Sequence, residues 1–152
     1  MGYDGSIGLC VDEGDRSWCS SSSANDNRAV TIETASETVH PYKVTDKAYS
    51  ALIDLVTDIC KRNGKTKILW FGDKNKTLAY TPKANEMVMT VHRWFANKAC
   101  PGDYLYRSGS LRWDVESGMW GIFRIVSRNV RYYCETACRN FRQWWEKKWY
   151  EK

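Results

Sequence analysis

The last third of the chain is a proline-free stretch from Val115 to Tyr150, and it limits the possible folds more than any other feature. Apolar side chains recur there every three or four positions, the period of an α-helix. They are Met119, Phe123, Val126, Val130, Tyr133, Ala137, Phe141 and Trp144. About 35 residues would give a helix roughly 50 Å long, whereas a compact domain of this size has a radius of gyration of only about 15 Å. Such a helix must bend or pack on something outside its own domain.

The other face of this predicted helix is basic. Residues 107–152 contain 10 Lys/Arg, 5 Asp/Glu and five of the eight tryptophans, whereas residues 1–106 contain 13 of each charge type. The whole formal net charge of +5 therefore belongs to the last third. We expect two parts: a domain over 1–106, and a basic helical extension over 107–152 that packs on it or on a partner. The candidate binding residues of the extension are Arg124, Arg128, Arg131, Arg139, Arg142, Trp144 and Trp145.

The first part alternates between strand-like and helix-like patterns. Thr45 is a candidate N-cap for a helix that runs to Asn63 and stops at Gly64. Short apolar or alternating runs predict strands at Ile7–Val11, Ala29–Ala35, Lys67–Phe71 and Met87–Val91, and polar composition predicts loops at Ser17–Asp26 and Gly72–Asn85. This order predicts an α/β (α+β) domain, a mixed sheet with a flanking helix.

Targeting signals are missing from the sequence. The first six residues have neither a basic nor an apolar region of a signal peptide, and no apolar run approaches the roughly 18 residues of a transmembrane helix. We therefore expect a cytoplasmic protein. In that compartment its six cysteines are reduced thiols or metal ligands rather than a disulfide framework.

The candidate chemistry is concentrated between His92 and Gly102. His40 and His92 are the two histidines of the chain, and Cys100 follows His92 by eight positions, just before a Pro-Gly turn. Imidazole and thiolate are both good zinc ligands. Lys98 would place a cation beside the metal, where it would stabilise an oxyanion. The spacing alone also fits an ordinary buried cysteine near a surface histidine and lysine.

This segment resembles a known family. The run His92-Arg93, then Lys98-Ala99-Cys100-Pro101-Gly102, is similar to the C-terminal signature of phage-type N-acetylmuramoyl-L-alanine amidases, which share the peptidoglycan-recognition-protein fold. Earlier segments also resemble that family: the turn at 3–7, the central strand at 29–33 and the following helix at 44–60. The resemblance covers about residues 3–106. It implies a phage or prophage protein whose first part is the C-terminal portion of an amidase domain.

The resemblance also implies a zinc site. In the family, two histidines and a Cys or Asp hold zinc, and a water attacks the amide between MurNAc and L-Ala. His92 and Cys100 would be the second and third ligands, and Lys98 would stabilise the transition state. The region that carries the first zinc histidine is not matched, and Trp18-Cys19 stands where relatives often have Trp-His. The family's closing helix is also replaced after Tyr106, so we expect a truncated domain with an incomplete zinc site.

Other residues are open candidates for completing the site. A third ligand would come from His40, Cys134, Cys138 or another chain, although each of these residues has an ordinary structural interpretation as well. Glu33 is a weak candidate for a general base, since carboxylates at strand ends are often merely solvated.

Two principal functions follow from this sequence. The first is a binding or inhibitory protein whose basic helix contacts a host protein or protein–nucleic acid complex, for example a defence nuclease such as a CRISPR effector. The alternative is an active zinc amidase acting on peptidoglycan. Direct nucleic-acid binding through the arginine face is a third, weaker hypothesis. The sequence leaves the oligomeric state open.

Overall fold

A computed structural model describes residues 1–107 of the chain. The predicted C-terminal helix and its arginine and tryptophan binding residues lie outside the described residues. The elements in chain order are α1 (Ser23–Asp26), α2 (Asp46–Arg62), β1 (Lys67–Leu69), α3 (Lys74–Ala79), β2 (Glu86–Val88), a 3₁₀ turn (His92–Trp94) and α4 (Gly102–Arg107). Helices thus combine with a small sheet, which agrees with the predicted mixing of α and β structure.

The helix predicted from Thr45 to Asn63 is confirmed as α2, and both of its ends have local causes. The Thr45 hydroxyl accepts a hydrogen bond from the Ala48 N–H at 3.1 Å, which satisfies one of the free donors of the first turn. At the other end Gly64 adopts a positive φ of 64°. The N–H groups of Gly64 and Lys65 donate to the carbonyls of Lys61 and Cys60 at 3.1 and 2.8 Å, the hydrogen-bond pattern of a Schellman motif.

The apolar face of α2 forms the centre of the core. Leu52, Val56 and Cys60 lie one helical turn apart along it and cluster with Ile68 of β1; all four are buried. β1 pairs in parallel with β2, so that Ile68 stands opposite Met87, which packs against the same cluster. Parallel strands need a crossover connection, and α3 lies within it.

The two strands predicted before α2 are not formed in the described residues. Ile7–Val11 has no strand structure, and Ile7, Leu9 and Val11 are 54%, 76% and 41% exposed. Ala29–Ala35 is also not a strand; its backbone pairs with Met1, whose amine donates to the Glu33 carbonyl at 2.7 Å. A strand depends on a partner ladder several residues long, and alternation along one segment does not supply it.

The two predicted loops each contain a short helix. Ser22 caps α1, since its hydroxyl accepts from the Asn25 N–H, and Asp73 caps α3, since its carboxylate accepts from the Lys76 N–H at 2.7 Å. Serine and aspartate occur both in loops and at helix N-termini, so composition alone did not distinguish the two. The strands predicted at Lys67–Phe71 and Met87–Val91 are confirmed, with shorter bounds.

Among the helices of residues 1–107, none has both the length and the apolar character needed to cross a bilayer.

The burial of Leu52 on α2 leads to a prediction about the stability of the fold. Leu52→Ala should lower the free energy of unfolding by about 2–5 kcal/mol, since it removes a buried side chain from the centre of the cluster. Leu78→Ala is the matched control, because Leu78 is 46% exposed, and it should change stability by less than about 1 kcal/mol. Urea unfolding followed by circular dichroism measures both. Equal losses in the two variants would contradict the assigned core.

Candidate functional site

His92 begins a 3₁₀ turn that follows β2 closely. The turn is tight, since the N–H groups of Phe95 and Ala96 both donate to the His92 carbonyl, at 2.9 and 3.1 Å. The side-chain Nε2 of His92 is buried and has no hydrogen-bond partner among the described residues. A buried imidazole nitrogen without a partner costs about 1–3 kcal/mol. It is one of six buried side-chain atoms without a partner among the described residues.

Cys100 lies in a turn that packs beside the His92 segment. The turn is closed by the Gly102 N–H, which donates to the Ala99 carbonyl at 2.8 Å. The Cys100 carbonyl accepts a hydrogen bond from the Arg93 N–H at 3.0 Å, so the residue next to His92 is joined directly to Cys100. Cys100 is half-buried.

The thiol of Cys100 is kept in its neutral form. Burial raises its pKa first, the negative charge of Glu33 raises it further, and the positive charge of Arg93 opposes both. Because metals bind the thiolate, a metal at this position must displace the thiol proton. The affinity of such a site would therefore increase with pH.

The candidate residues His92, Cys100 and Glu33 line the same cavity, which has a volume of about 1020 Å³. Glu33 and Cys100 also line a second cavity of about 250 Å³, together with Tyr42. Lys98 is exposed and lines neither cavity, so its proposed role in the transition state stays a prediction. Glu33 and Cys100 thus lie close to each other, whereas His92 shares only the large cavity with them.

The third metal ligand is not found among residues 1–107. Within that part of the chain, no group of three or more His, Cys, Asp or Glu side chains is placed to hold a metal ion. His40 lies instead against Asp103, with 3.1 Å between Nε2 and Oδ2. Cys19 is exposed, and its Sγ donates to the Ser17 carbonyl at 3.3 Å. Cys134 and Cys138 lie outside the described residues.

Residues 1–103 match the family model described as N-acetylmuramoyl-L-alanine amidase. The chain belongs to this amidase family. The match covers His92 and Cys100 and more than half of the chain. Comparison with curated proteins and with solved structures gave no significant match.

Amidases of this family are typically zinc-dependent, and the described residues fit that metal in part. The free Nε2 of His92 and the thiol of Cys100 are the nitrogen and sulfur donors that zinc prefers. A catalytic zinc requires three protein ligands and one open position. The described residues therefore offer two candidate ligands, one fewer than a catalytic zinc requires.

A polar cluster on the wall of the large cavity was missed by sequence reasoning. Asp26 is only 2% exposed; its Oδ1 accepts from the Ser20 N–H at 3.1 Å, and its Oδ2 has no partner among the described residues. Asn25 donates to the Ser20 hydroxyl at 3.1 Å and accepts from the Thr90 hydroxyl at 2.9 Å. The signal in the sequence was a Ser/Asn/Asp-rich segment, which is typical of an exposed loop and gave no reason to expect a buried carboxylate.

The environment of Cys100 predicts slow reaction with alkylating reagents. Because the thiolate is the reactive form, and the pKa of the Cys100 thiol is raised, iodoacetamide should modify Cys100 at neutral pH several-fold more slowly in the folded than in the denatured chain. Exposed Cys10 and Cys19 should react at similar rates in both states, and buried Cys60 should be the slowest. Peptide mass spectrometry over a time course resolves the individual sites. Equal rates for Cys100 in the folded and denatured protein would contradict its assigned environment.

Proposed function

We propose that the chain is a zinc-dependent amidase that hydrolyses the amide between N-acetylmuramic acid and L-alanine in peptidoglycan. The observation that carries this proposal is the buried, unpartnered Nε2 of His92, which shares a cavity with Cys100 in a member of the amidase family. A zinc ion at this position would give that nitrogen a partner.

Each candidate residue has a chemical role in this proposal. His92 and Cys100 would hold the zinc, together with a third ligand that no group of the described residues supplies. When bound, zinc supplies an acidified water and polarises the amide carbonyl. Glu33 lines the cavity with an exposed carboxylate that can accept the proton of the attacking water. Lys98 stabilises the developing oxyanion with its charge.

The order of the two hypotheses differs from the one that the sequence alone suggested. The sequence favours a binding protein because the first family histidine is not matched. We place the amidase first because the Nε2 of His92 is buried without a partner among the described residues. Since an unsatisfied buried polar atom costs about 1–3 kcal/mol, a ligand at this atom removes a penalty that the metal-free protein bears.

The amidase proposal predicts coupled loss of metal and activity. The full chain should bind zinc stoichiometrically, as measured by mass spectrometry of the metal, and release peptides with N-terminal alanine from purified peptidoglycan. His92→Ala and Cys100→Ser should each lose the zinc and at least 100-fold in rate, because two ligands do not retain a catalytic metal. Cys10→Ser changes an exposed thiol and serves as the matched control, with activity and zinc unchanged.

A chelator should abolish the activity, and added zinc should restore it. Activity of His92→Ala equal to that of the unchanged protein would refute the amidase proposal. So would stoichiometric zinc in the unchanged protein with no hydrolysis of any peptidoglycan tested.

A second candidate function rests on the charge of residues 107–152. These residues carry the entire formal net charge of +5 and five of the eight tryptophans, and interface hot spots are enriched in arginine and tryptophan. In this proposal a phage or prophage protein in the host cytoplasm binds a host protein or protein–nucleic acid complex, such as a defence nuclease, and inhibits it. The binding residues are Arg124, Arg128, Arg131, Arg139, Arg142, Trp144 and Trp145.

The binding proposal predicts a loss of partner when those arginines are neutralised. A full chain with all five arginines changed to glutamine should no longer retain a host macromolecule that the unchanged chain retains at low salt. The matched control changes five exposed lysines of the described part to glutamine (Lys43, Lys47, Lys61, Lys74 and Lys76) and should still retain it. Affinity purification with quantitative mass spectrometry, repeated at increasing salt, compares the three proteins. Equal retention by the arginine variant would contradict this function.

A further inference from the structure

Arg93 connects the two candidate zinc ligands through three separate contacts. It follows His92 directly, and its backbone N–H donates to the Cys100 carbonyl at 3.0 Å. Its Nη2 donates to the Ala99 carbonyl, and its Nη1 lies 3.0 Å from Oδ1 of Asp103. One side chain therefore spans the Cys100 turn from the residue before it to the third residue after it. Arg93 thus contacts the Cys100 turn through its backbone and through its side chain.

Asp103 is the anchor for that arginine. Its Oδ1 accepts from Arg93, while its Oδ2 lies 3.1 Å from Nε2 of His40 and 3.3 Å from Nη2 of Arg107. Arg93 and Asp103 are both half-buried, with 22% and 23% of their side chains exposed, so water screens their ion pair less than it screens a surface pair. The hydrogen bond from Arg93 first, and the one from His40 second, hold the pKa of Asp103 below its usual range.

The back of the Cys100 turn is held by the loop at 39–42. The Tyr104 N–H donates to the Pro41 carbonyl at 2.9 Å. Gly102 has a φ of +82°, and a Cβ at its position would lie 2.6 Å from Cβ of Tyr42. The turn is therefore fixed on one side by this loop and on the other by Arg93. A shift of Cys100 would have to break one of these contacts.

We propose that Arg93 and Asp103 are positioning residues, which together hold the backbone segments that carry His92 and Cys100 in the arrangement that a metal requires. This inference rests on the proposed zinc-dependent function. Groups behind metal ligands commonly change the affinity for the metal by 10- to 100-fold, because they fix the orientation of the ligands. Charge-assisted pairs such as Arg93–Asp103 are the stronger class of hydrogen bond, and a guanidinium provides the directed donors that an ammonium lacks.

The test measures metal binding as well as activity, in the full chain. The variants Arg93→Gln and Asp103→Asn should bind zinc 10- to 100-fold more weakly in competition with a chromophoric chelator. Cobalt(II), used as a spectroscopic probe, should show a weaker thiolate-to-metal charge-transfer band in both variants. Arg93→Lys keeps the charge but not the directed donors, and should recover only part of the zinc affinity.

The matched control is Arg62→Gln. Arg62 also pairs with two carboxylates, Asp58 at 2.7 Å and Glu13 at 2.9 Å, but these contacts lie on α2 and on the N-terminal loop rather than at the Cys100 turn. In this variant zinc affinity and the cobalt spectrum should stay unchanged. Unchanged zinc affinity in folded Arg93→Gln and Asp103→Asn would overturn the positioning role.

A second readout separates this inference from the proposed function. If the unchanged chain binds no zinc, the proposed function fails, and the positioning role of Arg93 and Asp103 is tested on the metal-free protein. In Arg93→Gln and Asp103→Asn, the backbone amides of the Cys100 turn, such as the Gly102 N–H that donates to the Ala99 carbonyl, should then exchange with deuterium several-fold faster because the turn opens. Arg62→Gln should leave that rate unchanged. Equal rates in all variants would overturn the positioning role independently of any metal.

Discussion

The packing of α2 on the β1–β2 pair is the contact on which the rest of the described structure depends. Leu52, Val56 and Cys60 cover Ile68, and the register of the two strands brings Met87 to the same cluster. β2 ends at Val88, and the chain reaches His92 four residues later. The site therefore inherits its position from an apolar contact that contains none of its own residues. A sheet of two three-residue strands has little stability by itself, and α2 contributes three of the four buried residues of the cluster.

Local signals explain which parts of this fold could be predicted from the sequence. Helix α2 was predicted correctly because its start at Thr45 and its stop at Gly64 are each encoded within a few residues. The strands at Ile7–Val11 and Ala29–Ala35 were predicted wrongly, since an alternating pattern does not show whether a partner strand exists. The candidate site likewise combines features encoded within a few residues and features that depend on more distant ones. His92 and Cys100 were found through a local motif, whereas the contact between Arg93 and Asp103 joins residues ten positions apart, and depends on how the turn folds back.

Two observations bear on the identity of the site: the family match and the unpartnered Nε2 of His92. The family match over residues 1–103 establishes descent from peptidoglycan amidases. Activity depends in addition on the residues of the site, because chemistry is a property of the site rather than of the fold. The unpartnered Nε2 of His92 provides the second kind of evidence, because it concerns this chain alone. Proteins have a stability of only about 5–15 kcal/mol, so a penalty of about 1–3 kcal/mol at one atom is substantial. A metal ligand at this position would explain why such an atom is retained.

The charges around Cys100 include that of Arg93, a positively charged side chain beside the proposed metal site. Glu33 raises the pKa of the thiol and so delays its ionisation, but its negative charge attracts a divalent metal. The positive charge of Arg93 lowers the pKa of the thiol. An isolated guanidinium beside the site would also repel the metal. The carboxylate of Asp103, 3.0 Å from Arg93, neutralises that charge locally. Arg93 can therefore hold the Cys100 turn through directed hydrogen bonds without its full charge opposing the metal, which a neutral partner in place of Asp103 would not allow.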